Sequence, residues 1–183
     1  MNETIRFAVG ETWLGAALVA CTDAGIACLV LGDGRAELAA ELRQRFPASQ
    51  AIEGGRGIAP IAAQALRFVE APWIGSRGLP LDLHGTGFQL QVWQALRAIP
   101  AGRTASYADI AHSIGRPAAA RAVARACSAN PVAVLVPCHR IVRRDGFASG
   151  YRWGVERKRR LLAREAAAGP ALADHCRPSI GLP

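Results

Sequence analysis

The 183-residue chain has little of several things. It holds one Lys, one Met and two Tyr, and aromatic residues make up only 6% of it. No apolar run reaches the 18 or so residues a membrane-crossing helix needs. Met1 to Gly10 lacks the basic start and apolar stretch of a secretory signal, so the expectation is a cytoplasmic protein with no membrane partner. The five cysteines (Cys21, Cys28, Cys127, Cys138, Cys176) are odd in number and contain no CxxC pair. That excludes a dense disulfide framework and fits free thiols in a reducing compartment. Cys21, Cys28 and His84 match no zinc-binding spacing, so no metal is expected.

What is present is enough for a core. The chain is 51% hydrophobic and 20% charged, which argues against disorder. Its net charge of +8 is unevenly spread. Residues 1–80 carry seven Arg against eight Asp or Glu, whereas residues 81–183 carry fourteen Arg and one Lys against six acids. A basic half beside a neutral one suits a polyanionic partner, nucleic acid before membrane, or simply a solvated basic surface.

The patterning divides the chain at the same place. Thr4–Val9, Leu14–Ala20 and Ile26–Leu31 read as strands, the last two joined by a turn at Thr22–Gly25. Apolar residues at Leu38, Leu42 and Phe46 predict a helix over Arg35–Phe46, stopped by Pro47. Residues 47–58 read as loop, and Ile61–Val69 as a helix with Ile61, Ala65, Leu66 and Val69 on one face. The Gly- and Pro-rich stretch 72–80 reads as a linker. Beyond it, Thr86 caps a helix carrying Phe88, Val92, Trp93 and Leu96. Ser106 starts a short helix over Tyr107–Ile114, Gly115 breaks it, and Pro117 opens Ala118–Ser128. Ala133–Val136 predicts a buried strand, and Val155–Ala168 a last helix; the tail from Pro170 has no pattern. The expected organisation is an α+β protein: an N-terminal α/β scaffold over 1–80, a mostly helical unit over 81–169, and a loosely held tail over 170–183.

Two features of the second half carry chemistry. Helix, glycine turn, helix is the helix-turn-helix pattern. Its second helix is rich in Ala, with Arg121 and Arg125 four apart and so on one face. This unit reads equally as a DNA-binding element or as a plain scaffold. The other feature is Val134-Leu135-Val136-Pro137-Cys138-His139-Arg140. A Cys at the end of a buried strand reads as a nucleophile or as a small core residue. Arg140, Arg143 and Arg144 nearby predict surroundings that favour thiolate. Adjacent strand residues face opposite ways, so His139 would need a bend or a bridging water to serve Cys138 as base. Glu165 on the last helix is the candidate to orient that His. On residues alone, a DNA-binding regulator and a Cys-His hydrolase stay open beside a thiol acceptor.

Several segments together, in order, resemble the O6-alkylguanine-DNA alkyltransferase family. They are Gly87-Phe88-Gln89-Leu90-Gln91-Val92-Trp93, Ala105-Ser106-Tyr107, 119–130, Pro137-Cys138-His139-Arg140, Ser149-Gly150-Tyr151-Arg152-Trp153-Gly154 and 161–165. The resemblance extends from about Ile5 to Ala167 and implies a ribonuclease H-like N-terminal domain followed by the helix-turn-helix unit. It implies single-turnover repair, in which Cys138 takes the alkyl group from O6-alkylguanine, with O4-alkylthymine a second candidate, after the nucleotide flips out of duplex DNA. His139 acts through water as the base, Glu165 holds His139, and Asn130 braces the active-site turn. Tyr107 donates to the departing guanine and Lys158 lies near the pocket. Arg121 fills the vacated stack. Arg125, Ala119, Ala120, Arg140, Tyr151 and Arg152 complete the DNA-binding set. Neither cofactor nor metal is implied, and the protein is expected to act as a monomer. Non-catalytic relatives lack the acceptor Cys, which this chain has.

Overall fold

The computed structural model describes residues 4–74, 78–143, 146, 148 and 150–168. Ser149, Arg144, Cys176 and the tail expected over 170–183 lie outside the described residues. The molecule is α+β, with one four-stranded sheet and six α-helices among the described residues.

The sheet begins with two hairpins. β1 (Thr4–Thr12), β2 (Gly15–Cys21) and β3 (Ile26–Gly32) run antiparallel in sequence. Gly15 makes the first turn possible: its φ is +105°, and a Cβ there would lie 2.8 Å from the Gly32 carbonyl oxygen. The predicted second turn forms, with the Thr22 N–H donating to the Gly25 carbonyl at 3.0 Å. α1 (Arg35–Arg45) follows and buries Leu38 and Leu42.

Residues 47–58 are not all loop. β4 (Gln50–Glu53) adds to the free edge of β1 in parallel, giving the order β3-β2-β1-β4. This strand is mostly exposed and is held by backbone pairing, so it leaves no hydrophobic alternation to read. α2 (Ile58–Glu70) also starts earlier than expected. Pro60 sits in its first turn, where the missing N–H is not needed. The buried face is Ile58, Ala62, Ala65, Phe68 and Val69, a rotation from the expected one; Ile61 and Leu66 are half-buried.

β2 and β3 are buried along almost their whole length, so both faces of the sheet are covered. The second half of the chain also docks on the edge of β3. The Leu29 N–H donates to the Pro131 carbonyl at 3.0 Å, and the Ala133 N–H donates to the Leu29 carbonyl at 2.7 Å. Ile26 likewise exchanges backbone hydrogen bonds with Pro80 and Asp82.

α3 (Gly87–Arg97) and α4 (Tyr107–Ser113) each start on a complete capping box, Thr86 with Gln89 and Ser106 with Asp109. Gly115, at φ +72°, turns the chain. Pro117–Ala119 forms a 3-10 turn, so α5 (Ala120–Ser128) begins two residues later than predicted. α5 is amphipathic: Val123, Ala126 and Cys127 face inward while Arg121 and Arg125 are exposed. The indole Nε1–H of Trp93 donates to the Ala126 carbonyl at 2.9 Å and locks α3 against α5. α6 (Val155–Ala167) closes the fold and buries Lys158, Leu161 and Glu165.

The strand expected over Ala133–Val136 is absent. These residues are buried but form successive turns, with Val134 at φ +64°. A short apolar run reports burial, and burial alone does not distinguish a strand from a turn whose polar groups find other partners. Here the partner is Asn130, as its contacts with the next segment make clear.

Candidate active site

Cys138, His139 and Arg140 form one 3-10 turn rather than a strand end. Side chains in such a turn diverge by about a third of a revolution each; Cys138 lines the cavity, while His139 and Arg140 meet at Glu165.

Cys138 is 7% exposed. Its Sγ accepts a hydrogen bond from Asn130 Nδ2 at 3.3 Å, and the same amide donates to the Val136 carbonyl at 2.8 Å. Asn130 Oδ1 accepts from the Val132 N–H at 2.9 Å. One fully buried side chain thus satisfies the turns that lead into the thiol. The thiol opens onto a cavity of about 310 Å³ lined by Tyr107, Cys127, Ser128, Cys138, Gly150, Tyr151 and Arg152. That volume lies at the small end of ligand sites, which span about 300–1,000 Å³.

His139 and Arg140 both turn to Glu165. His139 Nε2 lies 2.9 Å from Glu165 Oε1, with both side chains sealed from solvent. Arg140 donates through Nε at 3.0 Å and Nη2 at 2.8 Å to the same carboxylate, and through Nη1 to the Ile99 carbonyl at 2.7 Å. The Gly102 N–H adds a further donor to Glu165 Oε2 at 3.0 Å. Arg140, expected among the DNA-contacting residues, is instead 6% exposed, with its guanidinium committed to Glu165 and Ile99.

The electrostatics follow. Burial alone would raise the Glu165 pKa, but hydrogen bonds and charges from His139 and Arg140 outweigh it and bring the group down to about 2. Glu165 is therefore ionised and accepts only, so the His139 proton sits on Nε2 and the lone pair on Nδ1. Burial lowers the His139 pKa despite Glu165, which keeps the imidazole neutral near pH 7. Nδ1 is buried and has no hydrogen-bond partner among the described residues.

Among the described residues, burial outweighs the thiolate-favouring surroundings expected from Arg140 and Arg143; Arg144 lies outside them. Burial pushes the Cys138 thiol up to about 11, against smaller lowering effects from Asn130 and Lys158. The Arg140 guanidinium is held on the Glu165 carboxylate and is not one of the groups that lower the thiol pKa. Lys158 is fully buried, its Nζ donates to the Gly150 carbonyl at 3.3 Å, and desolvation lowers its own pKa. Burial raises the pKa of Tyr107, which stays protonated at neutral pH. The resting thiol is thus neutral, and the His139 imidazole that follows it in the chain is neutral and buried.

The remaining sequence-predicted residues fall into two places. Tyr107, Tyr151 and Arg152 line the cavity. Arg121 and Arg125 are exposed on α5, and Ala119 and Ala120 are half-buried at its start. Cys127 and Ser128 also line the cavity, from the last turn of α5, though no motif marked them as pocket residues. The Gly102 and Ile99 backbone groups that complete the Glu165–Arg140 cluster carry no side-chain signature that a sequence could show.

A buried thiol held by an amide and open to a cavity, next in the chain to a carboxylate-bound imidazole, brings together the groups that cysteine nucleophile chemistry uses. Comparison with known proteins makes this specific. Residues 87–167 match the family model described as 6-O-methylguanine DNA methyltransferase, DNA binding domain. The chain is 49% identical over 169 residues to the bifunctional transcriptional activator/DNA repair enzyme Ada of Escherichia coli (strain K12), covering 90% of this chain and 46% of that protein. It is 45% identical over 129 residues to the inducible methylated-DNA–protein-cysteine methyltransferase of Bacillus subtilis (strain 168), covering 69% of this chain and 70% of that one. The crystal structure of Mycobacterium tuberculosis OGT in complex with DNA superposes with a TM-score of 0.74 at 32% identity, covering 94% of this chain and 99% of that chain. The chain belongs to the O6-alkylguanine-DNA alkyltransferase family. It spans a little under half the length of the Ada proteins it matches.

Proposed function

We propose that this protein repairs DNA by moving the alkyl group of O6-alkylguanine onto Cys138, once per molecule. The observation that carries the reading is the Cys138 thiol itself: pinned by Asn130 at 3.3 Å, open to a cavity, and beside the His139–Glu165 pair. Tyr107 and Arg152 at the cavity wall, and Arg121 and Arg125 on the outer face of α5, supply groups for a nucleotide and its backbone.

In this reading α4 and α5 form a helix-turn-helix that docks on duplex DNA, and the first 80 residues are a ribonuclease H-like scaffold. Residues 81–169 form the DNA-binding and acceptor unit. Ala119 and Ala120 allow close approach to the groove, and Arg121 fills the space of the extruded nucleotide. Extrusion costs a few kcal/mol, least for a lesion that already pairs weakly. Backbone contacts dominate affinity, which then falls with salt and depends little on sequence. His139 Nδ1 takes the thiol proton through a water. The sulfur attacks the alkyl carbon in line with the C–O6 bond, so an S–C bond forms as that bond breaks. Tyr107 hydrogen-bonds the departing purine, and the thiol proton ends on guanine. The thioether is stable, no cofactor takes part, and the protein acts as a cytoplasmic monomer.

Intact-mass measurement after incubation with duplex DNA containing O6-methylguanine tests this. The expected result is a stoichiometric gain of one CH₂ mapped to Cys138 and absent in Cys138→Ser. Turnover without a mass change, or no gain at all, overturns it.

A further inference from the structure

Arg152 belongs to two places at once. It lines the cavity that holds Cys138, and it lines a second concavity beside α1 with Glu37, Glu41 and Gln44. Its Nε donates to Glu41 Oε1 at 3.0 Å, although the two residues lie 111 positions apart in the chain. The same oxygen accepts from Arg45 Nε at 3.1 Å and Nη2 at 3.0 Å, one helical turn along α1. Glu41 Oε1 is therefore shared between two guanidinium groups. Glu41 lies outside residues 87–167, the stretch that the family model matches.

This sharing has a physical consequence. If Arg152 leaves, Glu41 keeps the Arg45 hydrogen bonds, so no buried charge is stranded. The Arg152 side chain is 41% exposed and that of Glu41 20%, which keeps the pair weak. Gly150 and Gly154, at φ +59° and +98°, bracket the segment and give it backbone freedom that other residues lack. A phosphate approaching the cavity mouth repels Glu41 and attracts Arg152.

We propose that Glu41 is a positioning residue that parks Arg152 at the cavity rim and yields it to a DNA phosphate when the duplex docks. The carboxylate keeps Arg152 from closing over the cavity in the free protein, and it weakens duplex binding by the strength of the pair that must break. The proposal rests on reading the Cys138 cavity as facing DNA.

The test is a double-mutant cycle read by binding of an undamaged duplex oligonucleotide across a salt series. Glu41→Gln is expected to tighten binding about two- to fivefold, the range of one exposed ion pair, with a salt slope parallel to that of the unaltered protein. Glu37→Gln removes an equal charge from the same concavity, where Glu37 Oε2 accepts from the Asp33 N–H at 3.5 Å and meets no arginine among the described residues, and is expected to change affinity less. Arg152→Ala should lower the magnitude of the salt slope by roughly 0.9, one phosphate contact. In that background Glu41→Gln should change affinity no more than Glu37→Gln does, the share due to lost charge alone, whereas a contribution from the released Arg45 would persist as a larger effect. Equal shifts from Glu41→Gln and Glu37→Gln, a Glu41→Gln effect that survives Arg152→Ala undiminished, or no duplex binding at all would overturn the proposal. The mass gain on Cys138 is a separate readout. It can fail while this cycle holds, and the reverse.

Discussion

Replacing Glu165 with Gln removes one negative charge from the centre of the Arg140–His139 cluster while preserving side-chain shape. The loss can be sized from the structure in two ways. The Glu165 pKa falls from an ordinary 4.5 to about 2, and each pH unit corresponds to about 1.4 kcal/mol, so ionised Glu165 adds about 3 kcal/mol at pH 7. Independently, removing one partner of a buried ion pair destabilises by about 3–5 kcal/mol because the other charge is left uncompensated, and Arg140 is only 6% exposed. Denaturant unfolding of Glu165→Gln at pH 7 should therefore give a stability roughly 3–5 kcal/mol below that of the unaltered protein. The sign with pH is fixed. A carboxylate with a depressed folded pKa stabilises fully above its unfolded pKa and loses that contribution as pH falls toward its folded pKa. The gap between the two proteins should begin to close below about pH 4.5 and narrow by about 2 kcal/mol, to roughly 1–3 kcal/mol, by pH 3. A gap under about 1 kcal/mol at pH 7, or one of equal size at pH 7 and pH 3, would refute the assignment of Glu165 as the ionised centre of the cluster.

Lys158→Met keeps the volume of a fully buried side chain but removes a charge that lowers the Cys138 pKa. The rate of Cys138 modification by iodoacetamide follows thiolate content, so its pH profile should move to higher pH. Each pH unit of that movement makes the reaction roughly tenfold slower at pH 7; an unmoved profile would exclude Lys158 from tuning the thiol. Arg121→Ala removes an exposed side chain from α5, and should slow reaction with O6-methylguanine in duplex roughly ten- to a hundredfold more than reaction with the free base, which needs no extrusion. Equal losses on both substrates would assign Arg121 no part in flipping.

The helices of the second half are legible because their starts are written in side chains. Thr86 and Ser106 each face a partner three residues on, and the structure forms both capping boxes. β4 is not legible, because Gln50–Glu53 pairs through its backbone and buries almost nothing. Ala133–Val136 misleads for the opposite reason: it is fully apolar, and its buried carbonyl at Val136 is satisfied by the Asn130 side chain instead of a neighbouring strand. In the site, Cys138, His139 and Glu165 can be read as a set, since their chemistry is complementary. Arg140 cannot be placed that way, because whether an arginine meets DNA or a buried carboxylate depends on a contact 25 residues away. The state of the thiol escapes the sequence for the same cause. Counting nearby arginines overlooks the one already held on a carboxylate, and burial then decides the outcome.

The seam along β3 bears on how this chain can be divided. All the side chains assigned here to handling the purine lie after residue 100, which invites treating that portion as an independent module. Yet the backbone leading into Asn130 and the thiol turn leans on Leu29 as if Pro131–Ala133 were a fifth, borrowed strand. A fragment cut to contain only the reacting groups would keep every one of them and lose the ruler against which they are spaced. Functional and mechanical boundaries in this molecule therefore do not coincide: the chemistry is written in one half and held to tolerance by the other.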